Sequence, residues 1–444
     1  MIDGTAPKHN LIRQPVALWI AALSAIGLAV VAAWLFGLLV WHGAKAGAKA
    51  NRAERIAITL VGGAAPDKAR AGARKTVQGP DFAPGFWRNP AGNFTDPGYA
   101  LVAAARNSID LLRLSDGMVL HHYQPDRQKI DEQFGRVRAA LDPTIEGAAM
   151  PMHAMLMPDG GLMFMDHGAL VRIDACGQPA WVRSGYHHAI EPDGDGHFWA
   201  PALLVPAARP GAGPDYRDEL ITRVTADGLR LSQERISDIL DRNGFGALIY
   251  GRPYSDDPVH LNDIQPVPGD GPYWKKGDVF LSLRKLSMVL LYRPSTGKIV
   301  WQAIGPWQGQ HDISILDDHR IMLFDNHVTF GPDDITVGEG GNRVMVYDFA
   351  TGKAEQAFGP ATAYLGARTI QGGRATPLPG GDVMIENTND GVVGRFDPAG
   401  QARWRYVAAN EAGRRLRLGW TRYLDPATFG NAVAAASAAK CPAG

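Results

Sequence analysis

The chain has 444 residues, and its 45 lysine and arginine side chains are balanced by 45 aspartates and glutamates, so the formal net charge is zero. This balance, without a basic patch interleaved with aromatic residues, argues against a nucleic-acid partner. The length suffices for one large domain with appendages, and the 52 glycines, 31 prolines and 11 tryptophans are typical of a turn-rich β protein.

The first predicted element is a membrane-spanning helix. After a short N-terminal tail (1–14), residues 15–41 (PVALWIAALSAIGLAVVAAWLFGLLVW) contain no charged side chain. As a helix they would extend about 40 Å, whereas a bilayer core of ~30 Å needs about 20 apolar residues. The apolar stretch is too long for the h-region of a signal peptide. We therefore expect this segment to anchor the chain in a membrane.

A hairpin repeat follows the predicted linker at 42–80, which is rich in alanine, lysine and arginine. Each copy has an apolar strand, a glycine turn and a second strand, and a further strand pair precedes most copies. The turn glycines are Gly117, Gly177, Gly228, Gly297, Gly352 and Gly400. Six such units without long helices between them predict an all-β fold, a six-bladed β-propeller of four-stranded antiparallel blades over 81–430. A β-sandwich of six hairpins is the alternative.

Two further segments complete the predicted domain. Residues 126–147 have helical periodicity and are predicted to form an insertion over one face. The segment LGWTRYLD, 418–425, is expected to supply the innermost strand of the blade that begins near residue 98, which would close the ring and leave no unpaired edge. Residues 431–444 are predicted as a C-terminal tail.

Basic side chains open the predicted innermost strand of five blades. They are His153, His187, His260, His311 and Arg374. A propeller gathers the starts of its inner strands at one end of the central axis, so these residues would share one pocket. The pattern predicts a cationic funnel that binds an anion. For any single histidine, a surface or strand-capping role is the alternative.

Several stretches resemble the bacterial arylsulfotransferase family in the right order. They are HLNDIQPV, GDVFLSLRKLSMVLLYRPSTGKIVWQAIG and QHDISILDDHRIMLFDN, and the similarity extends over most of residues 98–425. Members of that family are six-bladed propellers, typically periplasmic. The resemblance implies that an aryl sulfate donates a sulfuryl group to a phenolic or other hydroxyl acceptor, without a cofactor or a metal ion.

The resemblance also implies roles for individual residues. The histidine of the QHD element would be a nucleophile that becomes transiently sulfated, and the HH element matches His187 or His188, with His188 preferred because of the pair. The predicted catalytic residues are His311, His260, Arg284 and His188, and the predicted substrate-binding residues are Asn262, His187, His153 and Arg374. Two departures from the family pattern are the insertion GDGPYWKKG and the acidic Asp263 beside Asn262.

The chemistry of these residue types fits sulfuryl transfer. A neutral imidazole is a competent nucleophile, and a covalent intermediate divides the transfer into two easier steps. The guanidinium of Arg284 offers a fixed fork of donors to an oxyanion. The sequence contains no glycine-rich loop that would hold a phosphate, which argues against a nucleotide sulfate as the donor.

Two other functions remain open. A tethered propeller could act as a non-catalytic scaffold or binding module, and the GQPAW, GKIVW and GQARW stretches are shared with quinone-cofactor dehydrogenase propellers. A metal site is disfavoured, because the histidines lack the close spacing and carboxylate partners that metal ligands usually show.

The resemblance predicts a propeller on the periplasmic side of a bacterial inner membrane. Four basic residues after the membrane segment, Lys45, Lys49, Arg52 and Arg55, argue instead for a cytoplasmic propeller by the positive-inside rule. Cys176 and Cys441 are too few for a disulfide scaffold or a zinc site, but they permit one disulfide in an oxidising compartment.

Overall fold

The structure, a computed structural model, describes six ranges of the chain: 79–104, 107–141, 150–166, 168–213, 215–332 and 334–442. The predicted tail, the predicted membrane helix and almost all of the predicted linker lie outside the described residues. In the described ranges, no helix combines the length and the apolar character that crossing a bilayer requires.

The described ranges consist mainly of short strands. In chain order these are β1 (Gly85–Arg88), β2 (Tyr99–Ala104), β3 (Ser108–Arg113), β4 (Val119–Tyr123), β5 (Met152–Leu156), β6 (Leu162–Asp166), β7 (Ala169–Ile173), β8 (Pro179–Ser184), β9 (Glu191–Pro192), β10 (His197–Leu203), β11 (Glu219–Thr225), β12 (Arg230–Arg235), β13 (Leu261–Pro266), β14 (Val279–Leu283), β15 (Met288–Arg293), β16 (Lys298–Ile304), β17 (His311–Ile315), β18 (Arg320–Asp325), β19 (Val328–Phe330), β20 (Ile335–Val337), β21 (Arg343–Asp348), β22 (Lys353–Ala357), β23 (Arg374–Pro377), β24 (Val383–Asn387), β25 (Val392–Phe396), β26 (Ala402–Val407) and β27 (Arg422–Leu424). The helices are α1 (Arg127–Leu141), α2 (Ile236–Arg242), α3 (Ala247–Tyr250), α4 (Gly359–Leu365) and α5 (Pro426–Ala438).

The strands form six antiparallel blades. Their orders are β27-β2-β3-β4, β5-β6-β7-β8, β9-β10-β11-β12, β13-β14-β15-β16, β17-β18-β21-β22 and β23-β24-β25-β26. Strand β1 adds a fifth, outer strand to the last blade, and β19 and β20 form a separate hairpin within the fifth. The six-bladed β-propeller predicted from the hairpin repeat is confirmed, and the sandwich alternative is wrong.

The ring closes as the sequence predicts. Strand β27 pairs with β2, with Tyr99 opposite Leu424 and Leu101 opposite Arg422. The C-terminal segment therefore supplies the innermost strand of the first blade, and the edge of β2 is covered.

The residues after this strand form a helix where a tail was predicted. Helix α5 begins after Asp425, whose carboxylate accepts hydrogen bonds from the backbone N–H groups of Ala427 and Thr428. A disulfide between Cys176 and Cys441 then ties the end of the chain to the turn between β7 and β8. The prediction of a tail over 431–444 is therefore wrong for residues 431–438, and the disulfide that the sequence permits is formed.

Helix α1 lies within the predicted helical insertion at 126–147, of which residues 142–147 lie outside the described residues. Ile130 and Phe134 of α1, together with Val433 and Ala436 of α5, join the apolar cluster around Phe164 of β6. Both helices thus cover the second blade. The middle strands, such as β6 (LMFMD), are buried on both faces, whereas the outer strand β16 alternates between exposed and half-buried residues.

A left-handed backbone residue recurs at the start of every inner strand. These residues, with φ between 51° and 94°, are Trp420, His153, His188, His260, Asp312 and Gly373. Residues other than glycine rarely adopt this backbone conformation. Register shifts accompany it in β5, β13 and β17, and such bulges re-aim side chains next to functional sites. The fold therefore turns the starts of the inner strands toward the axis.

Candidate active site

The four predicted catalytic residues lie at one end of the propeller axis. His188 precedes β9, His260 precedes β13, Arg284 follows β14, and His311 opens β17. Burial lowers the pKa of His311 well below the ordinary value, and the charges of Arg284 and His260 lower it further. Burial, then the charges of His260, His187, Arg217 and His311, do the same to the pKa of His188. The structure therefore brings these residues within electrostatic range of one another.

His311 is held in one orientation by Asn326. The amide nitrogen of Asn326 donates to the carbonyls of Thr369 (3.1 Å) and Gly372 (2.8 Å), so its Oδ1 faces His311. Nδ1 of His311 lies 2.6 Å from that oxygen and must donate to it. Because the low pKa keeps the ring neutral, Nε2 carries the lone pair, which accepts a hydrogen bond from the backbone N–H of Gly372 (3.2 Å between the nitrogens). This is the tautomer that an Nε2 nucleophile requires.

His260 is fixed by a carboxylate of its own. Its Nδ1 lies 2.5 Å from Oδ2 of Asp257, three residues earlier. Burial favours the protonated carboxyl, but the hydrogen bond from His260 and the charges of His260 and Arg217 outweigh it and lower the pKa of Asp257 to about 2. Burial also lowers the pKa of His260, although Asp257 opposes this shift. His260 therefore donates through Nδ1 and directs Nε2 away from Asp257.

The HH pair forms a chain that ends on a buried glutamate. Nδ1 of His187 lies 2.7 Å from Nδ1 of His188, and Nε2 of His187 lies 2.9 Å from Oε2 of Glu219. The ring of His188 packs edge-on against His260, with centroids 4.9 Å apart. His188 therefore contacts the other site histidine, whereas His187 stands behind it.

Arg284 is a cation without a carboxylate partner within 4.0 Å in the part of the chain that the structure describes. One amino nitrogen donates to the carbonyl of Ile370 at 2.9 Å, and the guanidinium carbon lies 4.9 Å from the centroid of Phe330. Burial lowers its pKa to about 10, so it remains charged at neutral pH. Its Nε is buried and meets no acceptor among the described groups. A buried, uncompensated cation of this kind fits a site for an anion.

Asn262 contacts the residue that precedes His311. Its amide nitrogen donates to the carbonyl of Gln310 at 2.8 Å, and Gln310 in turn donates to Ser282 and to the carbonyl of Met288. The Oδ1 atom of Asn262 is buried without a donor among the described groups. Asn262 thus joins the blade that carries His260 to the start of β17.

Arg374 does not join the group around His311. Its Nε donates to Thr376 at 2.9 Å and lies 3.4 Å from Asp312, and an amino nitrogen lies 3.9 Å from Glu191. Arg374 and Thr376 line a cavity of about 650 Å³ whose other walls come largely from the far ends of the inner strands, such as Pro266 of β13. Its charge is thus compensated, and its side chain contacts Asp312 and Thr376 rather than the group around His311.

His153 contacts Trp420, which precedes β27. Its ring packs edge-on against Trp420, with centroids 3.5 Å apart. Burial and the charges of Arg374 and Arg422 lower its pKa well below the ordinary value, with a smaller contribution from His311. Arg422, the basic residue that opens the sixth inner strand, is paired with Glu191 at 2.9 and 3.1 Å. Acidic side chains of the inner strands therefore pair with some of the basic residues that the sequence predicts to line the funnel.

The sequence also matches the model of a known protein family. The family model described as arylsulfotransferase (ASST) matches residues 153–409, more than half of the chain. The chain belongs to the arylsulfotransferase family. All eight predicted site residues of this arylsulfotransferase lie within the matched range.

Several solved structures are similar to this chain at low identity. A protein of unknown function from Bacteroides caccae is 14% identical, covers 74% of this chain and 99% of its own, and has a TM-score of 0.46. A catalytically inactive virginiamycin B lyase from Staphylococcus aureus is 13% identical over 60% of this chain and 72% of its own, with a TM-score of 0.35. BamB from Moraxella catarrhalis is 11% identical over 74% of this chain and 82% of its own, with a TM-score of 0.34. No curated protein matches, and identities this low do not carry function from one chain to another.

The acidic residue that departs from the family pattern has a raised pKa. Asp263 accepts a hydrogen bond from the backbone N–H of Ile313 at 2.7 Å. Burial and the neighbouring charges of Asp312 and Glu191 raise the pKa of Asp263 well above its ordinary value. Its carboxyl therefore joins two blades of this arylsulfotransferase and favours the neutral form.

The structure adds functional residues that the sequence analysis missed. They are Asn326, Asp257, Glu219, Arg217 and Arg417, the last a cation whose charge acts on His311 after those of Arg284 and His260. Asp257 stands three residues before His260, a spacing that a search for histidine partners would have found. Three potential metal ligands that the described chain clusters, Asp317, Asp318 and His319, lie on a turn beyond β17 and are not part of this site.

Proposed function

We propose that this arylsulfotransferase transfers a sulfuryl group from an aryl sulfate to a phenolic or other hydroxyl acceptor through a sulfated His311. The observation that supports it most is the orientation of His311. Nδ1 donates to Asn326, the ring is neutral, and Nε2 holds its lone pair at the end of the propeller axis where Arg284 lies. A nucleophile needs its lone pair free of a proton, and this arrangement supplies one.

The proposed reaction has two balanced steps. In the first, the Nε2 lone pair of His311 forms a bond to sulfur, and the bond from sulfur to the aryl oxygen breaks, so that an aryloxide leaves with the electron pair. In the second, the acceptor hydroxyl gives up its proton, which the released aryloxide takes up in the net reaction, its oxygen forms a bond to sulfur, the N–S bond breaks, and the electron pair returns to Nε2. No metal or nucleotide is needed to balance either step.

Three groups are placed to stabilise negative charge on the sulfuryl oxygens in this proposal. Arg284 contributes a permanent cation whose Nε has no acceptor in the described structure. The N–H of Gly372, now 3.2 Å from Nε2 of His311, is placed to donate to a sulfuryl oxygen once Nε2 is bonded to sulfur. His260 can donate through Nε2 only when its ring is protonated, because Nδ1 already donates to Asp257 and burial lowers its pKa. Donors aimed at developing charge in a dry site are each worth about 2.7–4 kcal/mol of barrier.

Covalent labelling tests the proposal directly. The full chain is incubated with an aryl sulfate and no acceptor, quenched in alkali to preserve a sulfated imidazole, and weighed intact. We expect one added sulfuryl group, located by peptide mapping to His311, and one equivalent of released phenol. Adding a phenolic acceptor should remove the group.

The matched controls are two histidine variants of the same blade. His311→Asn should abolish labelling, whereas His319→Asn, at an exposed turn, should leave it unchanged. Labelling that persists in His311→Asn, or the absence of labelling in the native chain, would contradict the proposal and leave a non-catalytic propeller as the better description.

We also propose that the chain is anchored in a membrane by residues 15–41 and that its propeller faces an oxidising compartment such as the periplasm. The uncharged apolar segment supports the anchor. The disulfide between Cys176 and Cys441 supports the compartment, because reducing compartments rarely permit one. A periplasm-dependent reporter fused after residue 444 should be active, and an active cytoplasm-dependent reporter would contradict this topology.

A further inference from the structure

The contact between His187 and Glu219 determines which nitrogens of the HH pair donate hydrogen bonds. Glu219 lies in a fully buried position and receives Arg217 Nε at 3.1 Å on one oxygen and His187 on the other. Burial opposes ionisation, yet the charges of His187 and Arg217 lower the pKa of Glu219, so it is a carboxylate. A carboxylate only accepts hydrogen bonds. Nε2 of His187 lies 2.9 Å from that carboxylate, at ion-pair distance without the alignment of a hydrogen bond. It must therefore carry a hydrogen, because two facing lone pairs would repel at this distance.

The tautomers of both histidines follow from this donor. When Nδ1 of His187 carries no hydrogen, the 2.7 Å contact requires that Nδ1 of His188 donate to it. Nε2 of His188 is left with a lone pair, and the described structure gives it no hydrogen-bond donor. The three groups thus form a directional chain from Nε2 of His188 to the carboxylate of Glu219.

A proton taken up at Nε2 of His188 need not remain there. Burial and the surrounding charges of His260, His187, Arg217 and His311 disfavour a cation on His188. If Nδ1–H of His188 passes its proton to Nδ1 of His187, the cation forms 2.9 Å from the carboxylate instead. Asp257 is committed to His260 and lies 3.6 Å from Arg217, so Glu219 is the carboxylate that stabilises this cation.

We propose that Glu219, His187 and His188 form a proton relay that removes the proton from a weakly acidic phenol acceptor as it attacks the sulfated His311. The proposal rests on the proposed function and deepens it. The phenol O–H proton moves to Nε2 of His188, the Nδ1 proton of His188 moves to His187, and the acceptor oxygen forms its bond to sulfur as the N–S bond breaks. When a weakly acidic aryloxide leaves the donor, the same proton returns to it.

A series of acceptors tests the relay with the variant Glu219→Gln. The native chain and the variant are first loaded with sulfate on His311, and single-turnover transfer to phenols of graded acidity is then measured. An acidic phenol that is already ionised needs no base, so its transfer should slow by less than about threefold. A phenol with a pKa of about 10 is un-ionised at neutral pH, and its transfer should slow by about 10²-fold, the usual range for a lost general base.

The pH profile supplies a readout that a purely structural role would not move. Without the carboxylate, the imidazolium of His187 is less stable, so the apparent pKa of the relay falls. The acid limb of the rate with the weakly acidic phenol should therefore move to lower pH in Glu219→Gln, while its plateau falls. Equal slowing with every phenol and an unmoved acid limb would overturn the relay.

Two more variants keep the test decisive if Glu219→Gln folds poorly. His187→Asn keeps an acceptor oxygen toward His188 but cannot take up a proton, and it should reproduce the dependence on phenol acidity. Glu234→Gln makes the same substitution in the same blade, where Glu234 pairs with Arg242, and should show no such dependence. Native protein that never becomes sulfated would refute the proposed function itself, whereas native protein that is sulfated, with variants insensitive to acceptor acidity, would refute only the relay.

Discussion

Nδ1 of His311 lies 2.6 Å from Oδ1 of Asn326, and the amide nitrogen of Asn326 is held by two backbone carbonyls, so the amide cannot reverse without losing both bonds. One asparagine therefore sets both the rotation and the tautomer of the proposed nucleophile. It also leaves the ring neutral, because an amide oxygen stabilises an imidazolium much less than a carboxylate does.

The variant Asn326→Asp is expected to move the acid limb of the rate to higher pH. A carboxylate 2.6 Å from Nδ1 would raise the pKa of His311, so more of the ring would be protonated and unreactive near neutrality. We expect transfer to fall more than about tenfold at pH 6 and to recover in part at higher pH. Asn342→Asp, which also alters hydrogen bonds to Thr369 but does not touch His311, controls for damage to the network. An acid limb shared with the native chain would contradict this role.

Replacing Arg284 by lysine should impair transfer although the charge is retained. Lysine cannot reproduce the planar fork that contacts Ile370 and leaves Nε toward the site. We expect kcat/KM to fall by about 10²–10³-fold, the usual effect of one lost donor to a developing anion. Arg293→Lys, whose guanidinium pairs with Asp278 at 2.7 and 2.8 Å, should retain native kinetics. Similar losses in both variants would indicate a general effect of replacing arginine.

The buried histidines should make the fold sensitive to mild acid. Burial holds the pKa of His153 well below the ordinary value of 6.5, as it does for His188 and His311. Below pH 6.5 the unfolded chain therefore binds protons that the folded chain does not, and the free energy of unfolding falls as the pH drops. Each histidine contributes up to about 1.4 kcal/mol per pH unit.

Denaturant unfolding at pH 7.5 and pH 5.5 measures this effect. His153→Gln should reduce the loss between these two pH values by about 1 kcal/mol. His319→Gln should not reduce it, because the hydrogen bond to Asp318 raises the pKa of His319 rather than lowering it. An unchanged loss in His153→Gln would show that the ring is not kept neutral by burial.

The disulfide is expected to stabilise the fold of the propeller without affecting sulfate labelling. It links a turn of the second blade to the segment after α5, across 265 residues of sequence. The double variant Cys176→Ser, Cys441→Ser should lose about 2–4 kcal/mol of unfolding free energy, seen as a lower Tm, while sulfate labelling at 25 °C persists. A reductant should lower the Tm of the native chain and leave that of the variant unchanged. A native Tm that reductant leaves unaltered would contradict a stabilising role.

The sequence allowed the propeller to be predicted because its hairpins repeat and a basic residue lies at or near the start of five inner strands. It also placed His188, His260, Arg284 and His311 in one site through the family resemblance. Arg374 shared the same repeat position, but its side chain extends toward Asp312 and Thr376 instead. Which direction a side chain takes at a bulge depends on the register of two strands, which a repeat pattern does not specify.

The partners of the site histidines were harder to predict. Asn326 lies at the end of β18 and Glu219 at the start of β11, each some distance in sequence from the histidine it contacts. Such pairs form only when neighbouring strands are aligned in three dimensions, so no local spacing identifies them. Helix α5 was missed for another reason: its alanine-rich sequence buries only small side chains and valine and has no strong apolar periodicity.

The protonation state of Asp263 affects how an anionic ligand would bind at the hub of the propeller. Tied to Ile313 between the starts of β13 and β17, it gives up its proton only at a pH well above that of an ordinary aspartate. While this carboxyl is protonated, it does not repel a sulfate ester bound at the hub. Once it ionises as the pH rises, its negative charge would weaken binding of the ester, so we expect anion binding to have an upper pH limit set by Asp263.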